Sequence, residues 1–303
     1  MFRGGAIDVG LTGGTGAIGT RLLRLLLADP DVTVVRSVAR RPLPASVKLV
    51  HTQANLCEPA ARRALAGVDV LWHLAFQLWR SGRGDELDRV NLAGTANVLA
   101  AEPGRVVFAS SAAVYGAWPD NPLPITEAHV PRPNREVRYA SDKLEAERRC
   151  SDARPTVVLR LSAVLGPHAD RRVRRSAQGY RLVVPAVRGV DQALQFLDEN
   201  DAARALHRAG KATATGTFNV ATDDWLSAQD TARLAGGRLV QLPLSTVLAG
   251  SEAARRARLL PFGADRAIFL NGPIALDPSA AAATLGWRPA HRSGEVLTRF
   301  LCR

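Results

Sequence analysis

The chain has 303 residues, 47% of them hydrophobic, which suits one large α/β domain or a core domain with a smaller attached lobe. No window approaches the roughly 18 uninterrupted apolar residues of a membrane-crossing helix, and the apolar part of the start, MFRGGAIDVGLTGG, is too short for a signal peptide, so the chain reads as cytoplasmic with no membrane partner. The net charge of +12 raises nucleic-acid binding, but only Lys48, Lys143 and Lys211 among the 40 basic residues are lysines and the arginines are spread along the chain, which points to a default surface cation that favours an anionic cofactor or substrate, with no nucleic acid.

In chain order, residues 6–12 read as a buried strand, followed by a glycine loop and a helix over 18–28. Strands follow at 32–38, 48–52 and 68–74, with helices near 59–65 and over 85–101. A fifth strand spans 105–110. A proline- and asparagine-rich loop occupies 116–134, then a helix runs over 139–150 and a sixth strand over 156–161. Strands alternating with helices at this spacing give a Rossmann-type, doubly wound parallel sheet. Beyond Gly166-Pro167 the pattern loosens. Residues 171–190 read as lying outside the sheet, 198–209 as a helix, 216–221 as a last strand and 226–235 as a helix. An apolar, arginine-rich stretch fills 239–260, and a helix covers 278–285. With no clean linker, the division is a dinucleotide-binding core at 1–165, rejoined by 198–222, and an interleaved substrate lobe at 166–197 and 223–303. The three cysteines, Cys57, Cys150 and Cys302, are odd in number and form no CxxC pair. The six histidines are scattered, so neither a disulfide framework nor a metal site is expected.

The first strand ends in Thr12-Gly13-Gly14-Thr15-Gly16-Ala17-Ile18-Gly19. Gly13 permits a tight turn, Gly16 lets backbone approach a pyrophosphate, and Gly19 lets helix and strand pack closely. The phosphate then meets the free N–H groups of a helix N-terminus. An acid at the end of the second strand would select NAD by accepting from the ribose 2′-hydroxyl. No carboxylate lies between residues 32 and 44, and Arg40 or Arg41 can instead hold a 2′-phosphate. The pattern therefore implies NADP(H) over NAD(H).

Tyr139 and Lys143 stand four apart near the start of a helix and share a face. A phenol is a poor acid–base group at neutral pH, and an ammonium one turn away is expected to pull its pKa down. Serines at the end of the fifth strand, Ser110 and Ser111, lie at the sheet edge where ligands bind.

These motifs, together with His73-Leu74-Ala75, Val90-Asn91, Gly94-Thr95, SSAAVYG, YASDKLEAE, QFLDENDAARAL, FNVA and LGWRP, resemble the extended short-chain dehydrogenase/reductase family, also called the NAD-dependent epimerase/dehydratase family. The resemblance implies that Ser111 holds the substrate oxygen, that Tyr139 is the general acid or base, and that Lys143 tunes Tyr139 and binds the ribose. It places Asn55 and Leu56 beside the adenine, Leu74, Ala75 and Phe76 along the cofactor, and the segment from Leu161 to Val164 beside the nicotinamide. It also admits a homodimer through the helices at 85–101 and 139–150.

The family covers both carbonyl reductases and nucleotide-sugar epimerases or dehydratases. Arg160-Leu161-Ser162-Ala163-Val164 lacks the asparagine that contacts the diphosphate in sugar-modifying relatives, and Ala112 and Ala113 stand where dehydratases place an acid. The expectation is an NADP(H)-dependent ketoreductase acting on an apolar or aromatic small-molecule carbonyl substrate. The alternatives are an epimerase or dehydratase with bound NAD(P), for which Arg171–Arg175 could clamp a diphosphate, and a non-enzymatic NADP(H) sensor.

Overall fold

A computed structural model describes residues 6–78, 89–260 and 262–302. Seven strands form the central sheet: β1 (Ile7–Thr12), β2 (Val32–Ala39), β3 (Leu49–Gln53), β4 (Val70–His73), β5 (Arg105–Ser111), β6 (Thr156–Leu161) and a late returning strand, Gly216–Val220. Their order is β3-β2-β1-β4-β5-β6 followed by the late strand, and every pairing is parallel. The central strands β4 and β6 are buried along their whole length, as parallel strands covered on both faces must be. The edge strand β3 has only half-buried and exposed positions.

One face carries α1 (Ala17–Ala28) and the helix Glu199–Lys211, and its core includes Leu22, Leu26, Trp72, Leu159 and Leu206. Trp72 is fixed there by donating its indole N–H to the Leu206 carbonyl at 2.8 Å. The other face carries α2 (Pro59–Ala64), α3 (Gly94–Leu99) and α4 (Arg138–Ala153) over Leu65, Val106, Phe108, Val158 and Cys150. Strand order reverses between β1 and β4, so the loops after these two strands diverge and open a crevice at the carboxyl edge.

The helix expected over 85–101 takes a different form. Residues 85–88 lie outside the described residues. The rest begins as a wide π turn, Arg89–Ala93, before α3, and ends at Leu99. Asn91 gives the reason: its side chain accepts from the Gln77 N–H at 2.8 Å and donates to the Gln77 carbonyl at 3.2 Å and to Asp142 at 3.3 Å. The turn thus ties the loop after β4 to α4.

After β6 the chain forms β7 (Ala163–Leu165), α5 (Arg171–Gln178), β8 (Val183–Val187), β9 (Phe196–Asp198), α6 (Glu199–Lys211), β10 (Gly216–Val220), α7 (Ala228–Ala235), β11 (Arg238–Leu242), α8 (Leu244–Arg256), α9 (Ala264–Ala267), α10 (Ser279–Leu285) and α11 (Ser293–Leu301). β10 is the late strand of the main sheet. β7 pairs with β9, and β8 with β11, each in a two-stranded parallel ribbon. Residues 171–190 lie outside the main sheet, as expected. β7, α5, β8, β9, β11, α8, α9 and α11 have no counterpart among the expected elements, because their apolar runs are short and broken by polar residues or glycine.

Candidate active site

The crevice is a cleft of about 630 Å³ whose walls include Gly13, Thr15, Gly16, Arg40, Arg41, Asn55, Leu56, Leu74, Ala75 and Phe76. Gly13 adopts φ of 76°, and a Cβ there would meet the Ala75 N at 2.7 Å, so the two loops of the crevice touch through a position only glycine fits. At Gly19 a Cβ would run into the Gly13 carbonyl, which explains the third glycine as a packing requirement. Helix α1 has Gly16 at its N-cap, no side-chain cap and no acid in its first turn. Its first N–H groups therefore keep their partial positive charge at the cleft, a setting that fits a pyrophosphate.

Arg40 and Arg41 both line the cleft, and Arg41 donates to the Thr15 carbonyl at 2.5 Å, which brings a guanidinium onto the glycine loop. Backbone carbonyls of both arginines are held from β3, that of Arg41 by His51 at 3.0 Å and that of Arg40 by Gln53 at 3.0 Å. Gln77 and Val90 also form part of the wall, as does Asp170, which sequence reasoning did not single out. Asp170 arrives from the N-cap of α5, a contact between distant segments that leaves no local signature. Not every expected cofactor residue is on the wall. Ala17, Ile18 and Gly19 form the first turn of α1 without lining it, and Tyr139 and Lys143 are not among its lining residues either. Leu161 is buried in the core, and Val164 packs against the same core.

Ser111, Tyr139 and Lys143 do converge. β5 ends at Ser111, whose hydroxyl accepts from the Ala113 N–H at 3.2 Å and so caps the 3-10 turn Ala112–Tyr115. The same hydroxyl faces the Tyr139 phenol and favours its ionised form. Lys143, one turn on, is buried. Its Nζ donates to the Ala109 carbonyl at 2.5 Å and lies 3.9 Å from the Phe76 ring centroid and 4.6 Å from that of Phe108. Burial pushes Lys143 down to about 7, against the opposing influence of Glu147 and Cys150. Close by, His73 is clamped between the hydroxyls of Thr12 at 2.8 Å and Thr95 at 2.9 Å. Burial, with Lys143 adding to it, pushes His73 down to about 3, so it stays neutral.

The expected electrostatics of Tyr139 need correction. Burial pushes its phenol above the ordinary range, and the influences that oppose this are the Arg266 charge and the Ser111 hydroxyl, not Lys143. The Lys143 Nζ is 5.8 Å from the Tyr139 ring centroid and turned onto Ala109, whereas the Arg266 guanidinium stands 5.4 Å away. Arg266 comes from α9, 127 positions down the chain, and no motif announces it. The wall beside Tyr139 is otherwise apolar: Phe76 meets its ring edge-on at 5.8 Å, and Leu244, Leu248, Ile268 and Phe269 pack in the same cluster. Trp79, three residues beyond Phe76, lies outside the described residues.

Beneath Ser111 is a second buried network. Arg160 of β6 pairs with Glu147 of α4 at 2.7 Å and donates to the Tyr115 hydroxyl at 3.0 Å. Glu147 also accepts from Ser110. Tyr115 in turn donates to Asn219 at 2.9 Å. Burial opposes the Arg160 charge, yet Glu147 and Tyr115 hold it above its ordinary range. Among the described residues no group of acids, histidines and cysteines could hold a metal, and no helix is long and apolar enough to cross a membrane.

The model of the NAD dependent epimerase/dehydratase family matches residues 9–221. The chain belongs to this family. An uncharacterized protein of Mycobacterium tuberculosis, Rv0501, is 30% identical over 246 residues, covering 77% of this chain and 65% of the relative, so the chain spans about two thirds of that protein's length. A 2-alkyl-3-oxoalkanoate reductase of Stenotrophomonas maltophilia is 29% identical over 182 residues, 56% of this chain and 55% of the reductase. Among solved structures, the UDP-glucose 4-epimerase of Thermotoga maritima with UDP-glucose aligns over 97% of both chains with a TM-score of 0.74 and 18% identity. MoeE5 with UDP-glucose and NAD aligns over 97% of both chains with a TM-score of 0.74 and 24% identity. At these identities the structural likeness establishes the fold.

Proposed function

We propose that the chain is an NADP(H)-linked oxidoreductase that interconverts a carbonyl and a carbinol on an apolar or aromatic small molecule. The observation that carries this reading is the convergence of Ser111, Tyr139 and Lys143 at the carboxyl edge of the sheet, walled by Phe76, Leu248 and Phe269 and set beside a cleft with two arginines. A nicotinamide dinucleotide, when bound there, supplies or accepts the hydride. Arg40 and Arg41 would hold the 2′-phosphate, and the uncapped end of α1 the pyrophosphate. In the reducing direction Ser111 and Tyr139 both point a hydroxyl at the carbonyl oxygen, and Tyr139 releases its proton to that oxygen as the carbon becomes tetrahedral. The buried phenol stays protonated at neutral pH, as an acid must. Lys143, shielded from water and titrating near neutrality, would reorient from the Ala109 carbonyl to the ribose hydroxyls.

A second reading, a nucleotide-sugar epimerase or dehydratase, draws its support from the comparisons, since solved relatives carry UDP-sugars. That support outweighs the shorter match to a ketoacid reductase. The residues themselves favour the first reading: no carboxylate stands at the end of β2, and buried Ala112 and Ala113 follow Ser111. Titration with NADPH and NADH, then a panel of ketones and UDP-sugars, separates the two. Preference for NADPH with its net oxidation on a ketone supports the first. NAD that copurifies, with UDP-sugar conversion and no net redox change, replaces it with the second. Tyr139→Phe should lower turnover by about 10²- to 10⁴-fold while cofactor affinity holds, and near-normal turnover would remove Tyr139 from the mechanism.

A further inference from the structure

Arg266 joins three parts of the molecule that are distant in sequence. It sits on α9, its guanidinium carbon lies 5.4 Å from the Tyr139 ring centroid and 6.0 Å from that of Phe269, and it donates to the Leu78 carbonyl at 2.8 Å. The C-terminal part of the chain thereby reaches both the phenol and the loop that follows β4. Ile268, next but one, packs with Tyr139 against Ala113 and Ala140, which fixes α9 on the site.

Among the described residues, the groups that face Tyr139 are few. Ser111 approaches from β5, Lys143 from its own helix, and Arg266 from α9 with Asp265 beside it. Phe76 and Phe269 carry no charge. The two cations differ in direction: Lys143 is turned onto Ala109 and two phenyl rings, whereas Arg266 lies over the Tyr139 ring. We propose that Arg266 is a positioning residue whose fixed charge, delivered from the C-terminal segment, makes Tyr139 ionisable in an apolar site and so couples the packing of α9 to proton transfer. Lys143 cannot serve in the ligand-free protein, because an ammonium that titrates near 7 has lost its charge before a phenol ionises. Burial lowers the Arg266 guanidinium as well, with Tyr139 and Asp265 opposing it, but from a far higher starting value than that of an ammonium.

The consequence for catalysis rests on Tyr139 being the proton carrier, but the electrostatic claim can be tested without substrate. The chain has three tyrosines, Tyr115, Tyr139 and Tyr180, so an ultraviolet titration of tyrosinate, differenced against Tyr139→Phe, isolates one phenol. Arg266→Met should raise its titration by about one pH unit, and Arg266→Gln, which keeps an N–H for the Leu78 carbonyl, should do the same. Arg266→Lys should restore most of the wild-type value. Titration of Arg266→Gln together with wild type would overturn the proposal. The pH profile of carbinol oxidation should move upward by the same amount in Arg266→Gln. A shifted titration with an unmoved profile would uphold the influence of Arg266 and remove Tyr139 as the proton carrier.

Discussion

Two buried cations meet α4, Lys143 projecting from it and Arg160 of β6 pairing with Glu147 one turn further on, and the molecule treats them differently. Arg160 is matched by the Glu147 carboxylate and the Tyr115 hydroxyl, and it is held firmly charged. Lys143 has one carbonyl and the faces of Phe76 and Phe108, and it is brought down to about 7. Burial alone therefore does not mark a functional charge. A buried charge with an ion-pair partner braces the sheet beneath the site, whereas one held by π faces and a single acceptor is poised to change partner or protonation state.

The sharpest way to break this contrast is to remove the partner of one cation and the charge of the other. Glu147→Gln strands Arg160 in the core and should lower unfolding free energy by about 3–5 kcal/mol in denaturant titration. At pH 7, Lys143→Met should change stability by no more than about 1 kcal/mol, since a buried lysine is replaced by a side chain of similar shape. Its loss should appear in turnover, by about 100-fold or more. Equal destabilisation by both variants would erase the distinction between brace and poised group.

A smaller effect sharpens the same point. Lys143 is depressed in the fold relative to the unfolded chain, so from about pH 7 upward the unfolded chain binds the extra proton and stability rises with pH. The rise from this group is at most about 1.4 kcal/mol per pH unit, ends near the free-lysine value of about 10.4, and is absent below the folded value, where both states are protonated. The difference in stability between wild type and Lys143→Met should carry that slope. With only three lysines in the chain, NMR of labelled lysine should show one signal titrating near 7 that the variant lacks. Smaller still, Arg40→Ala should weaken preference for NADPH over NADH by about tenfold, or about 1.4 kcal/mol, measured by fluorescence titration of both cofactors.

The parts of the molecule that could be read from sequence are those set by short-range rules. The buried strands, the glycine loop and the Tyr139–Lys143 spacing each follow from a few consecutive residues, and the order of the sheet follows from alternation. What could not be read depends on contacts across the chain. The Lys143 environment is created by Phe76 and Phe108 from two other elements, and Arg266 reaches Tyr139 from a four-residue helix with no motif of its own. The rule that an ammonium one turn away lowers a phenol pKa failed here because the lysine loses its own charge on burial. The π turn before α3 was likewise invisible, since Asn91 opens it by bonding to Gln77 outside the helix.

The proposal that hydride leaves a bound dinucleotide for a separate carbonyl compound, with Tyr139 supplying the proton, is tested most directly with NADPH deuterated at the transferring carbon. Mass spectrometry of the product should show the deuterium on the new carbinol carbon, in stoichiometric amount and lost in Tyr139→Phe. Conversion of a sugar nucleotide with no deuterium in the product and no NADPH consumed would contradict it.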